Sequence, residues 1–403
     1  MSERKEFIQF SEGPEISMAE MCRRYGISRK TGYKWRKRFR ESGESGLLNR
    51  SRRPKHQPGE TEIGVVERVL AERDRHPAWG GRKIRRRLQD LGHADVPAAS
   101  TITEILRRHG RLREEESLKH QAFQRFEHPS PNDLWQMDFK GHFGLRDGGR
   151  CHPLTVLDDH SRYSIGLRAC WDERLETVRS ELVGLFSRYG MPRRMLMDNG
   201  PVWAISESSE RFTRLEVWLM RMGIGVSHGR PYHPQTQGKD ERFHRTLKAE
   251  LLQWHEFKDC GAAQDGFDRF RSEYNEIRPH ESLGMGVPAQ RYQPSSREYR
   301  TTLPEIDYGP EVEVRRVQAG GEISFEGCEY GAGKGLRGQP VGVKATTEDG
   351  LWEVYFCQHR IAQIDSRTQT INDIAGPSRA GPASVATLPS AGPALEEKDQ
   401  NQT

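Results

Sequence analysis

One short run, residues 134–140 (Leu-Trp-Gln-Met-Asp-Phe-Lys), constrains the fold more than any other segment. Trp135, Met137 and Phe139 alternate with Gln136, Asp138 and Lys140, the period of a half-buried strand. Two more strands are expected at 154–158 and 164–170, paired as a hairpin around Asp159-His-Ser-Arg162. A helix follows over 173–189, with Leu175, Val178, Leu182, Leu185 and Phe186 on one face, and Gly190-Met-Pro192 ends it. The pattern continues with a short buried strand at 194–197, a helix at 215–222, a strand at 224–227 and a helix at 239–254. Three strands followed by alternating helix and strand is a mixed α/β order.

Three carboxylates stand out on that framework. Asp138 and Asp198 sit at the ends of apolar runs, and Glu241 lies near the start of a basic amphipathic helix. A carboxylate at a strand end points into the crevice beyond the sheet, so two strands and one helix can gather three of them. Such a cluster repels itself unless a hard cation neutralises it, and oxygen-only ligands suit Mg²⁺, with Mn²⁺ as an alternative. That arrangement serves two-metal phosphodiester chemistry.

The flanking residues carry a family likeness. The run from His233 to Lys248, His-Pro-Gln-Thr-Gln-Gly-Lys-Asp-Glu-Arg-Phe-His-Arg-Thr-Leu-Lys, resembles the third-carboxylate segment of insertion-sequence transposases and retroviral-type integrases. Asp198-Asn-Gly resembles their second-carboxylate turn, Trp135-Gln-Met-Asp138 their first, and Tyr274-Asn-Glu-Ile-Arg-Pro-His-Glu-Ser-Leu-Gly284 the close of their catalytic core. The acids are 60 and 43 positions apart. The second gap is longer than usual in these families, and the polar stretch 204–214 reads as a loop insertion.

The best match is an insertion-sequence transposase of the IS3/IS481-like group. The resemblance implies an RNase H-like core at 130–294 and two Mg²⁺ ions, with Asp138 bridging them, Asp198 holding one and Glu241 the other. It also implies DNA strand cleavage and transfer, double-stranded DNA partners (terminal inverted repeats and target DNA) and a homo-oligomer on DNA. The alternative is a transposon-derived DNA-binding regulator without strand transfer.

On the helix bearing Glu241, the i+3, i+4 and i+7 positions are His244, Arg245 and Lys248, a row of donors suited to phosphate. Phe243, Leu247 and Leu251 form the opposite, buried face, and Asp240 points roughly 100° away from Glu241. His233 and Lys239 read as DNA-positioning residues, Arg278 and His280 as braces, and Asp158 and Asp159 as turn formers or partners of Arg162.

Upstream, residues 1–46 read as a helix-turn-helix. Ala19, Cys22 and Tyr25 face inward, Gly26 makes the turn, and Ser28 caps a second helix with Thr31, Trp35 and Phe39 inside. Its outer face offers Arg29, Lys30, Lys34 and Arg36 to a major groove. Between Met21 and His56 thirteen Lys and Arg face two Glu, an electrostatic footprint for DNA. Residues 47–60 form a basic linker whose Arg52 and Arg53 can track phosphates. A second helix-turn-helix-like domain is expected at 61–115, with helices at 62–75, 81–91 and 100–109, the last capped by Ser100. Two such modules on one linker would read a longer site than either alone.

Downstream, short alternating runs between Gly-rich turns at 305–366 predict a small β-barrel-like domain. Residues 374–403, rich in Ala, Pro, Ser and Gly, predict a disordered tail. The six cysteines are scattered without a Cys-x-x-Cys pair, which argues against zinc fingers and a disulfide framework. No apolar run approaches membrane-span length and the N-terminus lacks a secretory pattern, so a cytoplasmic, nucleoid-associated location is expected.

Overall fold

The computed structural model describes residues 3–11, 16–49, 61–112, 127–197, 211–228, 238–303 and 305–373. The chain divides into two compact units, Met1–Glu62 and Ile63–Thr403. Asp198, His233, Arg52, Arg53, most of the 204–214 stretch and linker, and the tail lie outside the described residues.

The first unit holds α1 (Glu3–Ser11), α2 (Met18–Arg24) and α3 (Arg29–Ser42). Ser28 caps α3 as its sequence position predicts, accepting a hydrogen bond from the Thr31 amide at 3.1 Å. The sequence reading missed α1, which supplies the buried Phe7 and Ile8 to a cluster with Met21, Cys22 and Leu47. The close approach of α3 to this cluster depends on Gly32, where a Cβ would come within 2.6 Å of Cys22 Sγ and 3.0 Å of Phe7. Arg29, Lys30 and Lys34 are exposed on the far side, and Arg36 is half-buried.

The second unit opens with α4 (Ile63–Arg75), α5 (Gly81–Asp90) and α6 (Ala99–Arg108), packed around Val69, Trp79, Ile84, Leu88, Ile102 and Leu106. Ser100 is not the cap expected of it. It sits inside α6, whose N-cap position is Ala98, with no side-chain cap bond.

The central sheet contains β1 (Trp135–Phe139), β2 (Phe143–Gly144), β3 (Arg150–Asp158), β4 (Ser164–Cys170), β5 (Arg194–Met197) and β6 (Gly225–His228). Its main path runs β4-β3-β1-β5-β6, with β2 a two-residue addition beside β3. β3 pairs antiparallel with β1 and β4, whereas β1, β5 and β6 run parallel. This is the RNase H-like arrangement expected from the strand and helix order.

One face of the sheet packs on α7 (Leu175–Tyr189) and α8 (Arg214–Arg221) through Trp135, Met137, Val178, Phe186 and Leu219. The other packs on α9 (Gly238–Leu247) and α10 (Cys260–Glu276) through Leu157, Leu167, Phe243, Leu247 and Phe267. α9 runs directly into a turn of π-helix, Lys248–Leu252. The sequence reading did not pick out α10, which Asp259 caps by accepting from the Ala262 amide at 2.8 Å.

The C-terminal segment comprises β7 (Glu313–Arg316), β8 (Glu322–Phe325), β9 (Cys328–Gly331), β10 (Pro340–Ala345), β11 (Leu351–Phe356), β12 (His359–Asp365) and β13 (Thr370–Asp373). It is sheet-rich, as expected, but a closed barrel is not shown. Five strands form an open antiparallel path, β13-β12-β11-β10-β7, beside a β8-β9 hairpin, and among the described residues β13 and β7 do not pair to close it. Its buried Val317, Ile323, Phe325, Leu336 and Phe356 belong to the same cluster as Phe212, Leu219 and Met220 around α8. Gln358 Nε2 donates to the Gly223 carbonyl at 3.2 Å across that junction. All six cysteines are free, and among the described residues no helix is long and apolar enough to cross a membrane.

Candidate active site

β1 lies between β3 and β5, so Asp138 is presented from the middle of the sheet. Met137 pairs with Val156 on one side and with Met197, the last described residue of β5, on the other. The Asp138 carbonyl accepts the Thr155 hydroxyl at 2.9 Å, while its side chain is 22% exposed.

Thr155 also touches His244 of α9, Oγ1 to Nε2 at 2.8 Å. Because the hydroxyl proton goes to the Asp138 carbonyl, Nε2 must be the donor in that second bond. Nδ1 then presents a lone pair to Asp138 Oδ2, 3.8 Å away. Burial, reinforced by Lys140, pulls the His244 pKa down to about 3, so the ring is neutral near pH 7 and this contact is not an ion pair. His244, expected beside Glu241 on the DNA-facing side, instead points inward and is 8% exposed.

Glu241 is exposed on the first turn of α9, as are Arg245 and Lys248 further along. Its neighbour Asp240 is 1% exposed, and among the described residues neither carboxylate oxygen has a hydrogen-bond partner. Burial pushes the Asp240 pKa well above the carboxylate range, and the charges of Asp138 and Asp159 push it further.

Lys239 is also turned inward. Its ammonium pairs with the Asp159 carboxylate and donates to the Asp159 carbonyl at 3.2 Å. Asp159 accepts in addition from Gln136 Nε2 at 2.7 Å and the His128 amide at 2.8 Å. Lys239 thereby ties the first turn of α9 to β1 and the β3–β4 turn, and burial lowers its pKa to about 8. Asp158 shapes that turn, accepting from the Ser161 amide and hydroxyl and the Asn132 amide. Arg162 donates to the Asp159 carbonyl at 2.6 Å rather than to its carboxylate. Arg278 and His280 are both buried, and Arg278 braces the core through Glu250.

Beyond the end of β1 a groove of about 300 Å³ opens between Lys140, His142 and Phe143 on one side and Lys248, Leu252 and Gln253 on the other. Two lysines, Lys140 and Lys248, line it.

Among the described residues no three His, Cys, Asp or Glu side chains are grouped to hold a metal, and Asp198 lies outside them. The donors present nevertheless fit a hard cation. Asp138 is partly open, an unprotonated imidazole nitrogen faces it, and beside it a buried carboxylate has two unpartnered oxygens. A site with that much unbalanced acceptor character favours positive charge. The sequence reading missed the inward role of Asp240, the Lys239–Asp159 pair, and Thr155.

Several stretches of the chain match known protein families. Residues 128–234 and 222–288 match models of the integrase core domain, and 312–372 match the C-terminal domain of IS481 family transposases. Residues 3–55 match a helix-turn-helix domain and 31–106 a homeodomain-like domain. A 39.2 kDa protein of insertion element IS476 from Xanthomonas euvesicatoria is 30% identical over 216 residues, 51% of this chain and 59% of that protein. A 31.7 kDa protein of insertion element IS407 from Burkholderia multivorans is 24% identical over 163 residues, 40% of this chain and 55% of that one. The chain thus spans somewhat over half the length of these relatives. The HTLV-2 integrase catalytic core domain in complex with magnesium aligns over 41% of this chain and 99% of that one, at 19% identity and a TM-score of 0.32. A likeness at that level carries no argument about activity.

Proposed function

We propose that this chain, which carries the integrase core, the IS481-type C-terminal domain and the helix-turn-helix domains of insertion-element transposases, is itself a DNA transposase. It would bind the ends of a mobile element and catalyse DNA strand cleavage and strand transfer, acting in the cytoplasm as a homo-oligomer on DNA. The observation that carries the reading is the packing of α9 on β1, where His244 lies 3.8 Å from Asp138 Oδ2 and the buried acid Asp240, close enough to feel the Asp138 charge, has no hydrogen-bond partner among the described residues.

Asp138, Asp198 and Glu241 would hold two Mg²⁺ ions, which activate an attacking oxygen and stabilise a leaving one in phosphodiester chemistry. The residues around them would have separate tasks. Thr155 and His244 fix the end of β1 and the orientation of the Asp138 backbone. Lys239, through Asp159, fixes the start of α9 and with it the position of Glu241. Arg245, Lys248 and Lys140 are left to meet DNA phosphate. Arg29, Lys30, Lys34 and Arg36, assisted by Arg52, Arg53 and His233, would hold the element ends and target.

The test is strand transfer by the full chain on oligonucleotides carrying the element ends. Asp138→Asn, Asp198→Asn and Glu241→Gln should each abolish joining while leaving end binding and thermal melting nearly unchanged. Joining that survives in Glu241→Gln would refute the triad assignment.

A further inference from the structure

Nine residues beyond Glu241, in the middle of the π-helical turn, stands Glu250, a carboxylate with no place in the chemistry above. Its side chain is 11% exposed, yet it is bound from two directions. Arg278, after α10, donates to it from Nε at 2.9 and 3.1 Å, and its Nη2 lies at 2.9 Å. From the 63–112 helical module, Trp79 Nε1 donates at 3.4 Å and the Lys83 ammonium lies at 4.0 Å. Trp79 is fully buried and stacks on His76 at 3.8 Å, and His76 Nδ1 lies 2.8 Å from Glu273 of α10. The module is therefore fastened to the catalytic core at the helix that carries Glu241.

We propose that Glu250 is a positioning residue, through which the 63–112 module sets where Glu241 stands relative to Asp138. The proposal rests on the active-site reading above.

Three physical points support it. First, a π-turn breaks the regular α-helical hydrogen-bond ladder, and such turns occur mostly at functional sites, so what holds this one bears on where the helix lies. Glu250 sits at that place, about 13 Å along the axis from Glu241. Second, the clamp is ionic and mostly dry. Removing the carboxylate would leave Arg278 and Lys83, 10% and 18% exposed, close together without a counter-charge. Burial and the neighbouring Arg278 already hold the Lys83 pKa down to about 8. Third, Arg278 has a second route to the same helix. Its guanidinium lies 5.7 Å from the Tyr274 ring centre, and Tyr274 packs edge-on against Phe243, two residues from Glu241, at 4.8 Å.

The experiment uses the full chain with Glu250→Gln, Glu250→Ala and Glu250→Asp, read by hydrogen exchange of the 238–252 peptides and by Mn²⁺ titration without DNA. Glu250→Gln should speed exchange in 238–252 and in the facing 76–88 segment about tenfold, and raise the Mn²⁺ midpoint about tenfold, the usual effect of losing an outer support. Glu250→Asp, which keeps the charge, should recover most of both. Unchanged exchange in 238–252 for Gln and Ala overturns the proposal. So does exchange that rises equally across β10–β13, which would mark a general loss of stability. If wild type and Asp138→Asn bind Mn²⁺ alike, the metal reading fails, and the exchange result alone decides for or against Glu250.

Discussion

Thr155 divides one hydroxyl between two jobs, donating to the Asp138 carbonyl and accepting from His244. Thr155→Val keeps the shape and removes both bonds, leaving a buried imidazole N–H without an acceptor. A loss of about 1–3 kcal/mol is expected, read by urea unfolding, together with a fall in strand transfer that leaves DNA-end affinity unchanged. An unchanged unfolding midpoint would show that His244 finds another acceptor. Asp240→Asn tests the neighbouring acid. Burial and the charges of Asp138 and Asp159 work against an ionised Asp240, so the uncharged amide should alter unfolding by less than about 1 kcal/mol, and joining should persist where Glu241→Gln loses it. Part of this geometry was legible beforehand. At about 100° per residue, Phe243 and Leu247 mark the inward arc of α9, and Asp240 falls about 20° beyond Leu247 on the same arc. His244 lies a further 40° or so around. Reading the arc from apolar residues alone stops at Leu247 and assigns the polar side chains after it to solvent. The partner that makes the burial of His244 tolerable, Thr155, comes from a strand far away in the chain.

Among elements, α3 keeps its packing face and its basic face apart. Gly32→Ala would press a methyl group into Cys22 and Phe7, costing about 1–3 kcal/mol from overpacking. It should lower the melting point of the first unit without altering the exposed Arg29, Lys30 and Lys34. Replacing those three with Ala should leave melting unchanged and weaken binding to DNA ends. The log–log slope of affinity against salt should also flatten by about one for each phosphate no longer neutralised. Gel shifts across a salt series would decide, and an unaltered slope would take α3 off the DNA. β12 has a pH signature. Burial holds His359 down to about 4, below its unfolded value of about 6.5. The unfolded chain therefore binds the extra proton first. The stabilisation from the neutral ring is complete above about pH 6.5 and drains away as pH falls toward 4. His359→Gln should make unfolding less sensitive to pH across that window. Periodicity predicted α7, α9 and β4 well because each has a continuous apolar stripe. It missed α1 and α10, in which polar and small residues dilute the stripe, and it misplaced the start of α6 because Ser100 had the chemistry of a cap without the position.

For the molecule as a whole, the change of composition near residue 308 suggested a separate C-terminal domain. Local sequence does not report packing between segments, and here the two segments share one buried cluster around α8. A Cβ at Gly335 would run into the Phe212 carbonyl, so Gly335→Ala should disturb the catalytic core from the C-terminal side, seen as faster exchange in α8. Ending the chain after residue 373 should leave melting and joining unchanged, as the composition of the tail predicts. Ending it before Tyr308 should expose Phe212, Leu219 and Met220 and give an aggregation-prone product; a soluble, cooperatively melting one would show that the cores are separable.

That shared cluster also bears on how such chains can diverge. A crossover between two related genes that falls near residue 62 would leave the shared cluster around α8 intact. A crossover between the central sheet and the C-terminal strands would mate the α8 face with a stranger, and the hybrid would lose that packing. Among related chains, residues 127–373 should therefore be inherited as a single block.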